Sequence, residues 1–210
     1  MGISMNKIFF GFIAIAATVI GVISFKVITK LPSPEHALYY QESRVVKPFE
    51  LMDHHGQAFT KDQLNKKWSL VFFGYTSCPD ICPTTLQNLN FIYDDLKAIA
   101  PNSQVLLVSV DPQRDSQEKL AQYIAYFNRE FIALRAGHEV LFPFARNMGL
   151  MYAISGEGDN YLVDHSASLV LINPAGKVAA IFKPEQAVGT VPSIDSDKLL
   201  SDYQKIVALY

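Results

Sequence analysis

Two continuous apolar runs mark the centre of the chain. Residues 70–75 and residues 105–110 consist almost wholly of apolar side chains. Runs without polar alternation are typical of parallel strands that are buried on both faces of a sheet. A helix is predicted between the runs, from Pro83 to about Ala100, because proline suits the first turn, where its missing N–H costs nothing. This part of the chain therefore has the pattern β-α-β.

The remaining pattern continues the alternation of strands and helices. Asp115 and Glu118 have the spacing of a capping box, with Asp in place of the usual Ser or Thr, so Asp115 is predicted to cap a helix. The turn sequence at residues 173–176 separates two apolar runs, which predicts an antiparallel hairpin. The other predicted elements are an extended stretch from residue 48, a turn at 54–56, a strand at 131–134, a helix at 138–148, hairpin strands at 168–172 and 177–182, and a closing helix at 196–210. This order predicts an α/β, thioredoxin-like fold with a central mixed sheet flanked by helices.

An uncharged segment precedes this pattern. No charged residue occurs from Ile8 to Phe25, and a segment of this length can just span the hydrocarbon core of a bilayer. The residues that follow it make a poor signal-peptidase site, so we predict a single uncleaved N-terminal transmembrane helix. The chain then divides into a membrane anchor (1–30), a linker (31–46) and a thioredoxin-like domain (47–210).

The charges around the uncharged segment hardly determine its orientation, because lysines lie on both sides of it. The short head before it favours translocation of the C-terminal domain. We therefore predict a single-pass protein of a bacterial inner membrane, held there by its N-terminal helix, with the C-terminal domain facing the periplasm. That compartment is oxidising, so Cys78 and Cys82 would form a disulfide unless a reductant opens it.

Composition excludes a nucleic-acid partner and draws attention to the cysteines. The formal net charge is −2 at pH 7, and no basic run interleaved with aromatic residues occurs. The only two cysteines, Cys78 and Cys82, lie where the first apolar run meets the predicted helix. A structural disulfide across so short a loop would remove little chain entropy. The pair therefore indicates metal or redox chemistry.

Three distant segments are predicted to meet at one rim of the sheet. Cys78 and Cys82 follow the first buried strand, residues 111–115 follow the second, and His165 precedes the first strand of the hairpin. Sites in open α/β sheets form beyond the carboxyl ends of the parallel strands, and an antiparallel strand begins at that same edge. Two thiolates and an imidazole make a soft set that suits Cu(I) and could also take Cu(II) or Zn(II). With no fourth strong ligand, such a site stays open, as expected of a carrier.

Neighbouring residues could support these ligands. Cysteines at positions i and i+4 would share one face at the start of a helix, where the dipole and the free N–H groups favour thiolates. Asp164 could orient the imidazole of His165. Asp111 and Asp115 could support the site from behind the ligands, although Asp115 is predicted first of all as the helix cap, with Arg114 paired to a nearby acid.

Three stretches of the sequence closely resemble the Sco/SenC family of copper-binding, thioredoxin-like assembly factors. They are residues 72–84, 108–115 and 161–166. The resemblance covers roughly residues 46–208, and the predicted N-terminal anchor matches the family as well.

The resemblance implies a ligand set and a role. The family's metal ligands fall on Cys78, Cys82 and His165, so the chain is expected to bind one copper ion, as Cu(I), Cu(II) or both. The family's usual role is to deliver copper to the binuclear copper site in subunit II of cytochrome c oxidase, or to keep the thiols of that site reduced. The expected partners are this subunit or another copper acceptor, and a copper donor or thiol reductant.

Two functions stay open at the level of the sequence. A copper chaperone would bind and transfer the metal without being an enzyme in the strict sense. A thiol-disulfide oxidoreductase would use Cys78 and Cys82 as its redox pair, although three residues separate them, against two in thioredoxins, and His165 would have no obvious use. A peroxidase of the peroxiredoxin type does not fit, because neither cysteine stands in a Thr-x-x-Cys context.

Overall fold

The structure, a computed structural model, describes residues 10, 13, 15–21, 32–156, 161–185 and 191–210. The strands are β1 (Leu38–Val45), β2 (Glu50–Asp53), β3 (Ala58–Thr60), β4 (Trp68–Gly74), β5 (Ser103–Ser109), β6 (Ile132–Arg135), β7 (Tyr152–Ser155), β8 (Leu162–His165), β9 (Leu169–Ile172) and β10 (Lys177–Phe182). The helices that follow β4 are α1 (Ile81–Phe91), α2 (Tyr93–Ile99), α3 (Gln117–Phe127), α4 (His138–Met148) and α5 (Ser196–Leu209), and a 3₁₀ turn covers Lys61–Leu64.

Eight of these strands form one mixed sheet, in the order β1-β10-β9-β4-β5-β6-β2-β3. Strands β4, β5 and β6 run parallel, and β9 lies antiparallel to β4 on its other side. The remaining neighbours in this sheet are antiparallel pairs. The predicted α/β class, the mixed sheet and the antiparallel hairpin β9–β10 are therefore confirmed.

The two apolar runs form the middle of the core. Every residue of β4 and every residue of β5 is buried. Successive side chains of a strand point to opposite faces, so burial at every position means that both faces of the sheet are covered here. Polar chemistry can therefore reach solvent only beyond the ends of these strands.

The predicted linker of residues 31–46 is wrong for Leu38–Val45. This segment forms β1, the edge strand, which pairs antiparallel with β10. Just before it, the backbone N–H groups of residues 35–37 donate to the buried carboxylate of Asp202 in α5, with N–O distances of 2.6 to 3.0 Å. The chain is thus fixed to the domain from residue 35, twelve positions before the predicted boundary at residue 47.

The predicted membrane anchor, residues 1–30, lies largely outside the described residues. Of this stretch, Phe10, Ile13 and residues 15–21 are described, and they are helical. Among the residues that the structure describes, no helix combines the length and the apolar character needed to cross a membrane.

The predicted helix from Pro83 to about Ala100 is in fact two helices. Helix α1 begins at Ile81, two residues before Pro83, and ends at Phe91. Ile92 then leaves helical geometry, with φ −99° and ψ 6°, and α2 continues from Tyr93. Both Ile92 and Tyr93 are buried at this break.

A small second sheet, which the pattern did not predict, carries His165. Strands β7 and β8 pair antiparallel, with Tyr152 opposite His165 and Ser155 opposite Leu162. Only the first residue of β7 is buried, so this strand shows no alternation that could have revealed it. The hairpin places His165 directly before β9, at the rim where β4 ends.

Candidate metal centre

The loop after β4 carries both cysteines. Strand β4 ends at Gly74, and the chain turns through Cys78, whose side chain is partly buried, before α1 begins. Cys82 is the second residue of α1 and is fully buried. The prediction that both cysteines lie on one helix face is wrong for Cys78, because the helix begins only at Ile81. Both thiols are free.

His165 faces these thiols from the end of β8. Its Nε2 lies 3.4 Å from the Sγ of Cys82, and its Nδ1 lies 3.3 Å from the carbonyl oxygen of Ser166. Since a carbonyl oxygen can only accept, Nδ1 carries a proton in this contact, and Nε2 is the ring nitrogen that faces the thiols. The rings of Phe72 and Tyr75 flank the imidazole edge-on, with centroids at 5.9 and 5.7 Å.

The predicted convergence of these three residues is confirmed. The Sγ atoms of Cys78 and Cys82 and a ring nitrogen of His165 all lie within 4.8 Å of one another. Within the described ranges, this is the one group of three or more Cys, His, Asp or Glu side chains whose ligand atoms come so close. Two sulfurs and one imidazole nitrogen could therefore hold a single metal ion after small side-chain movements.

The two thiols differ in charge. A hydrogen bond from the Cys82 thiol is the main reason that the pKa of Cys78 is lowered to about 4, and burial opposes this decrease. Hydrogen bonds from His165 and from the backbone N–H groups of Cys82 and Asp80 lower the pKa further. The pKa of Cys82 is raised by its hydrogen bond to Cys78, by burial and by the charge of Cys78. The metal-free site thus pairs a thiolate with a thiol, and metal binding to both sulfurs would release a proton.

Asp115 anchors the cysteine loop and is not the helix cap. Helix α3 begins at Gln117, and the hydroxyl of Ser116 accepts the capping hydrogen bond from the backbone of Lys119 at 3.2 Å. The buried carboxylate of Asp115 instead accepts from the backbone N–H and hydroxyl of Thr76, at 3.1 and 2.6 Å, and from the hydroxyl of Ser109 at 2.6 Å. Asp115 therefore ties the start of the cysteine loop to the end of β5.

Asp111 and Arg114 hold the segment that leads to His165. The two residues form an ion pair in which the Asp111 carboxylate is fully buried, which confirms the predicted pairing of Arg114 with a nearby acid. The hydroxyl of Tyr161 donates to this carboxylate. Burial and this hydrogen bond raise the pKa of Tyr161 to about 12, so its hydroxyl keeps the proton that it donates.

Asp164 does not orient the imidazole of His165. Neighbouring residues of a strand point to opposite faces, so the side chain of Asp164 points away from that of His165. Its carboxylate is exposed and lies 3.4 Å from the hydroxyl of Ser155. The carbonyl oxygen of Ser166 takes the orienting role that was predicted for Asp164.

The other histidines with described ring contacts lie outside the cluster. The Nδ1 of His54 accepts a hydrogen bond from the backbone N–H of Ala133 at 3.2 Å. Nδ1 of His138 lies 2.8 Å from the hydroxyl of Tyr152. Each imidazole therefore has a structural partner.

Gly74 is a residue of the site that the sequence analysis missed. A methyl group at this position would lie 2.9 Å from the Sγ of Cys82 and 2.9 Å from the ring of Phe72. Glycine therefore allows the sulfur to approach the backbone at the end of β4. The signal was present, because a glycine within a strand often marks the close approach of another group.

Comparison with known sequences finds related proteins over most of the chain. The sequence profile of the SCO1/SenC family matches residues 38–194. A SCO2-like protein of Rickettsia prowazekii (strain Madrid E) is 34% identical over 179 residues, which cover 81% of this chain and 87% of that protein.

Solved structures support this similarity. The crystal structure of Arabidopsis thaliana ScoI with copper bound is 30% identical, with a TM-score of 0.70, and the match covers 79% of this chain and 99% of that one. The solution structure of apo Sco1 from Thermus thermophilus is also 30% identical, with a TM-score of 0.70 and coverage of 87% and 99%.

These similarities agree with the predictions made from the sequence. The structural match confirms the thioredoxin-like α/β fold. Copper is the metal bound in the Arabidopsis structure, in agreement with the copper ion predicted for the Cys-x-x-x-Cys and His165 cluster. The family profile covers well over half of the length of this chain, and the chain therefore belongs to the SCO1/SenC family.

Proposed function

We propose that this chain is a copper carrier that binds one copper ion through Cys78, Cys82 and His165. The observation that carries the proposal is the cluster of two thiols and one imidazole within 4.8 Å. Sulfur and imidazole ligands form the soft set that Cu(I) prefers and that Cu(II) also accepts. Hard cations such as Mg²⁺ and Ca²⁺ prefer oxygen ligands, which this cluster does not contain.

The geometry suits a site that releases its metal. A shallow pocket of about 200 Å³ opens over the cluster and is lined by Tyr75, Cys78, Asp164 and His165, among others. A thiolate or imidazole of an acceptor could reach the copper from this side. Cys78 is the more exposed of the two sulfurs, so ligand exchange would begin there.

The proposed acceptor is the binuclear copper site in subunit II of cytochrome c oxidase, or another copper-binding partner. Membership of the SCO1/SenC family supports this assignment. The copper ion is the transferred species and not a resident cofactor. The protein therefore needs to bind it through few ligands, so that an acceptor site with more ligands can remove it.

Copper titration of the reduced full-length chain under anaerobic conditions tests the site. We expect one copper per chain, with sulfur-to-copper charge-transfer absorption when Cu(II) is added. His165→Ala should weaken binding about 100-fold, or roughly 2.7 kcal/mol, because one of three ligands is lost. His36→Ala is the matched control, since the His36 side chain is exposed and lies outside the cluster. Equal copper affinity in wild type and His165→Ala would contradict the three-ligand site.

A thiol-disulfide oxidoreductase is the second candidate function. The partly buried Cys78 beside the fully buried Cys82 favours it, because an accessible thiolate can attack a target disulfide and a protected thiol can then resolve the mixed disulfide. In that reaction the target gains two electrons and Cys78 and Cys82 become a disulfide. The His165→Ala variant separates the two functions: thiol exchange with a small disulfide should persist where copper binding is lost.

The residues before the domain are proposed to anchor it in a bacterial inner membrane, with the domain in the periplasm. The uncharged stretch of residues 8–25 supports this proposal. Membrane fractionation of the full chain against a chain that starts at residue 32 tests it. We expect only the full chain to stay with the membrane after a high-salt wash, and recovery of both chains in the soluble fraction would contradict the anchor.

A further inference from the structure

His165 stands at the end of a hairpin that has little stability of its own. A two-stranded hairpin is marginally stable at best in water, and β8 has only four residues. A slip of one residue would turn every side chain of β8 to the opposite face and present Asp164 or Ser166 to the thiols. Contacts from outside the hairpin must therefore fix its register.

The burial of β8 shows which face is turned inward. Tyr161, directly before the strand, and Val163 within it are 9% and 4% exposed, whereas Leu162 is 65% exposed. By this alternation Tyr161, Val163 and His165 share the inward face. Whatever holds Tyr161 in place therefore also decides that His165 faces the cysteines.

Tyr161 is held on three sides by the segment that follows β5. The guanidinium carbon of Arg114 lies 3.9 Å from the centre of the Tyr161 ring, within the range of a cation–π contact. The Nη1 of Arg114 donates to the carbonyl oxygen of Tyr161 at 3.1 Å. The hydroxyl of Tyr161 donates to the carboxylate of Asp111, which is ion-paired with Arg114. Ring, backbone and hydroxyl are thus all fixed by two residues.

The partner strand has its own attachment. Tyr152, opposite His165 in β7, stacks on Phe142 of α4 with ring centroids 4.5 Å apart, and its hydroxyl lies 2.8 Å from Nδ1 of His138. This attachment fixes β7. Strand β8 is held at its end by residues 166–168, which connect it to β9, and at its start by the attachment of Tyr161. A unique register needs both fixed points.

We propose that Tyr161, held by Asp111 and Arg114, is a positioning residue that sets the register of β8 and keeps His165 directed at Cys78 and Cys82. The inference rests on copper binding by His165, as proposed above. It assigns the Asp111 and Arg114 pair a role in the metal site although neither side chain belongs to the ligand cluster.

Copper titration of Tyr161→Phe in two backgrounds tests this role. The substitution removes one hydroxyl and keeps the ring, so the fold should persist. In the otherwise wild-type full chain we expect copper affinity to fall about tenfold, the size typical of losing a group that orients a metal ligand. In the His165→Ala background we expect less than about a twofold further change, because the affected ligand is already absent. Equal losses in both backgrounds, or none in either, would overturn the proposal.

A second measurement needs no copper. In the metal-free chain with ¹⁵N-labelled histidine, the imidazole signals of His165 are identified by their loss in His165→Ala. We expect Tyr161→Phe to shift or broaden these signals, because the register is no longer unique, and unchanged signals would count against the inference. Tyr203→Phe is the matched control, since its hydroxyl is also buried, at 2.7 Å from that of Ser103, but lies in α5.

The design separates this inference from the proposed function. If wild type and His165→Ala bind copper alike, the three-ligand site itself is wrong. If His165→Ala loses copper and Tyr161→Phe does not, the site stands and only the positioning role of Tyr161 fails.

Discussion

At the scale of single residues, the position of the Cys82 sulfur depends on the missing side chain of Gly74. We expect Gly74→Ala to weaken copper binding about tenfold, because the new methyl group would lie 2.9 Å from this sulfur and displace it from its position beside His165. Overpacking should also lower the free energy of unfolding by about 1–3 kcal/mol. Copper titration and urea unfolding of the reduced chain measure the two effects.

Gly137→Ala is the matched control for this substitution. The added methyl group would meet only the end of the exposed Glu139 side chain among its nearest neighbours, and that side chain can move. Copper affinity should therefore stay at the wild-type value in this variant. If Gly74→Ala also bound copper as wild type does, the close approach of Cys82 to the backbone would have no part in the site.

The ligands themselves could be predicted from the sequence because their chemistry lies in the residue type. Two cysteines and a histidine next to predicted strand ends already indicate a soft metal site. The residues that orient them could not be predicted in the same way. Asp115 was predicted to cap a helix and Asp164 to orient His165, and both predictions are wrong because the partners of a carboxylate depend on which way its side chain points.

At the scale of elements, prediction succeeded where a segment is buried on all sides and failed where it is held by one neighbour. Strands β4 and β5 are recognisable because every position is buried and apolar. Strand β1 is an edge strand with several polar residues, and it exists because β10 lies beside it. Strand β7 is exposed after its first residue, and the alternating burial of β8 is not matched by alternating apolar and polar residues, so neither strand could be detected from the sequence pattern.

The segment between β5 and α3 shows how one element can serve two loops. Asp115 near its end holds the loop before Cys78, and Asp111 together with Arg114 holds Tyr161 before His165. The cysteine and histidine ligands come from parts of the chain that are far apart in sequence, so their spacing depends on this common support. Asp115 matches a capping-box pattern in the sequence, but in the folded protein it anchors the cysteine loop.

At the scale of the whole molecule, the sheet order brings the two ends of the folded domain together. The N–H groups of residues 35–37 donate to the carboxylate of Asp202, close to the C-terminus, and Lys205 forms an ion pair with Glu35 at 2.8 Å. The proposed anchor would therefore join the domain at a fixed point, with only a few residues between the membrane and this contact.

The charge of Asp202 gives this contact a defined pH dependence. Burial opposes the ionised form, but the N–H donors of residues 35–37 and the charge of Lys205 outweigh it and lower the pKa of Asp202 below its ordinary value. A carboxyl group whose pKa is lowered in the folded state stabilises it above the ordinary pKa of about 4, and this contribution is lost as the pH falls through the folded-state pKa.

Asp202→Asn should therefore destabilise the domain at pH 7 and matter less in acid. At pH 7 we expect a loss of about 2 kcal/mol in the free energy of unfolding, because an amide accepts less strongly than a carboxylate and turns its own N–H groups toward the donors. Below about pH 4 the difference should shrink, since the wild-type carboxylate becomes protonated as well. Urea unfolding at a series of pH values measures the difference in unfolding free energy between wild type and Asp202→Asn. Asp197→Asn is the matched control, because Asp197 is an exposed residue of the same helix. A difference that stayed constant from pH 7 to pH 3 would show that the Asp202 contact does not depend on its charge.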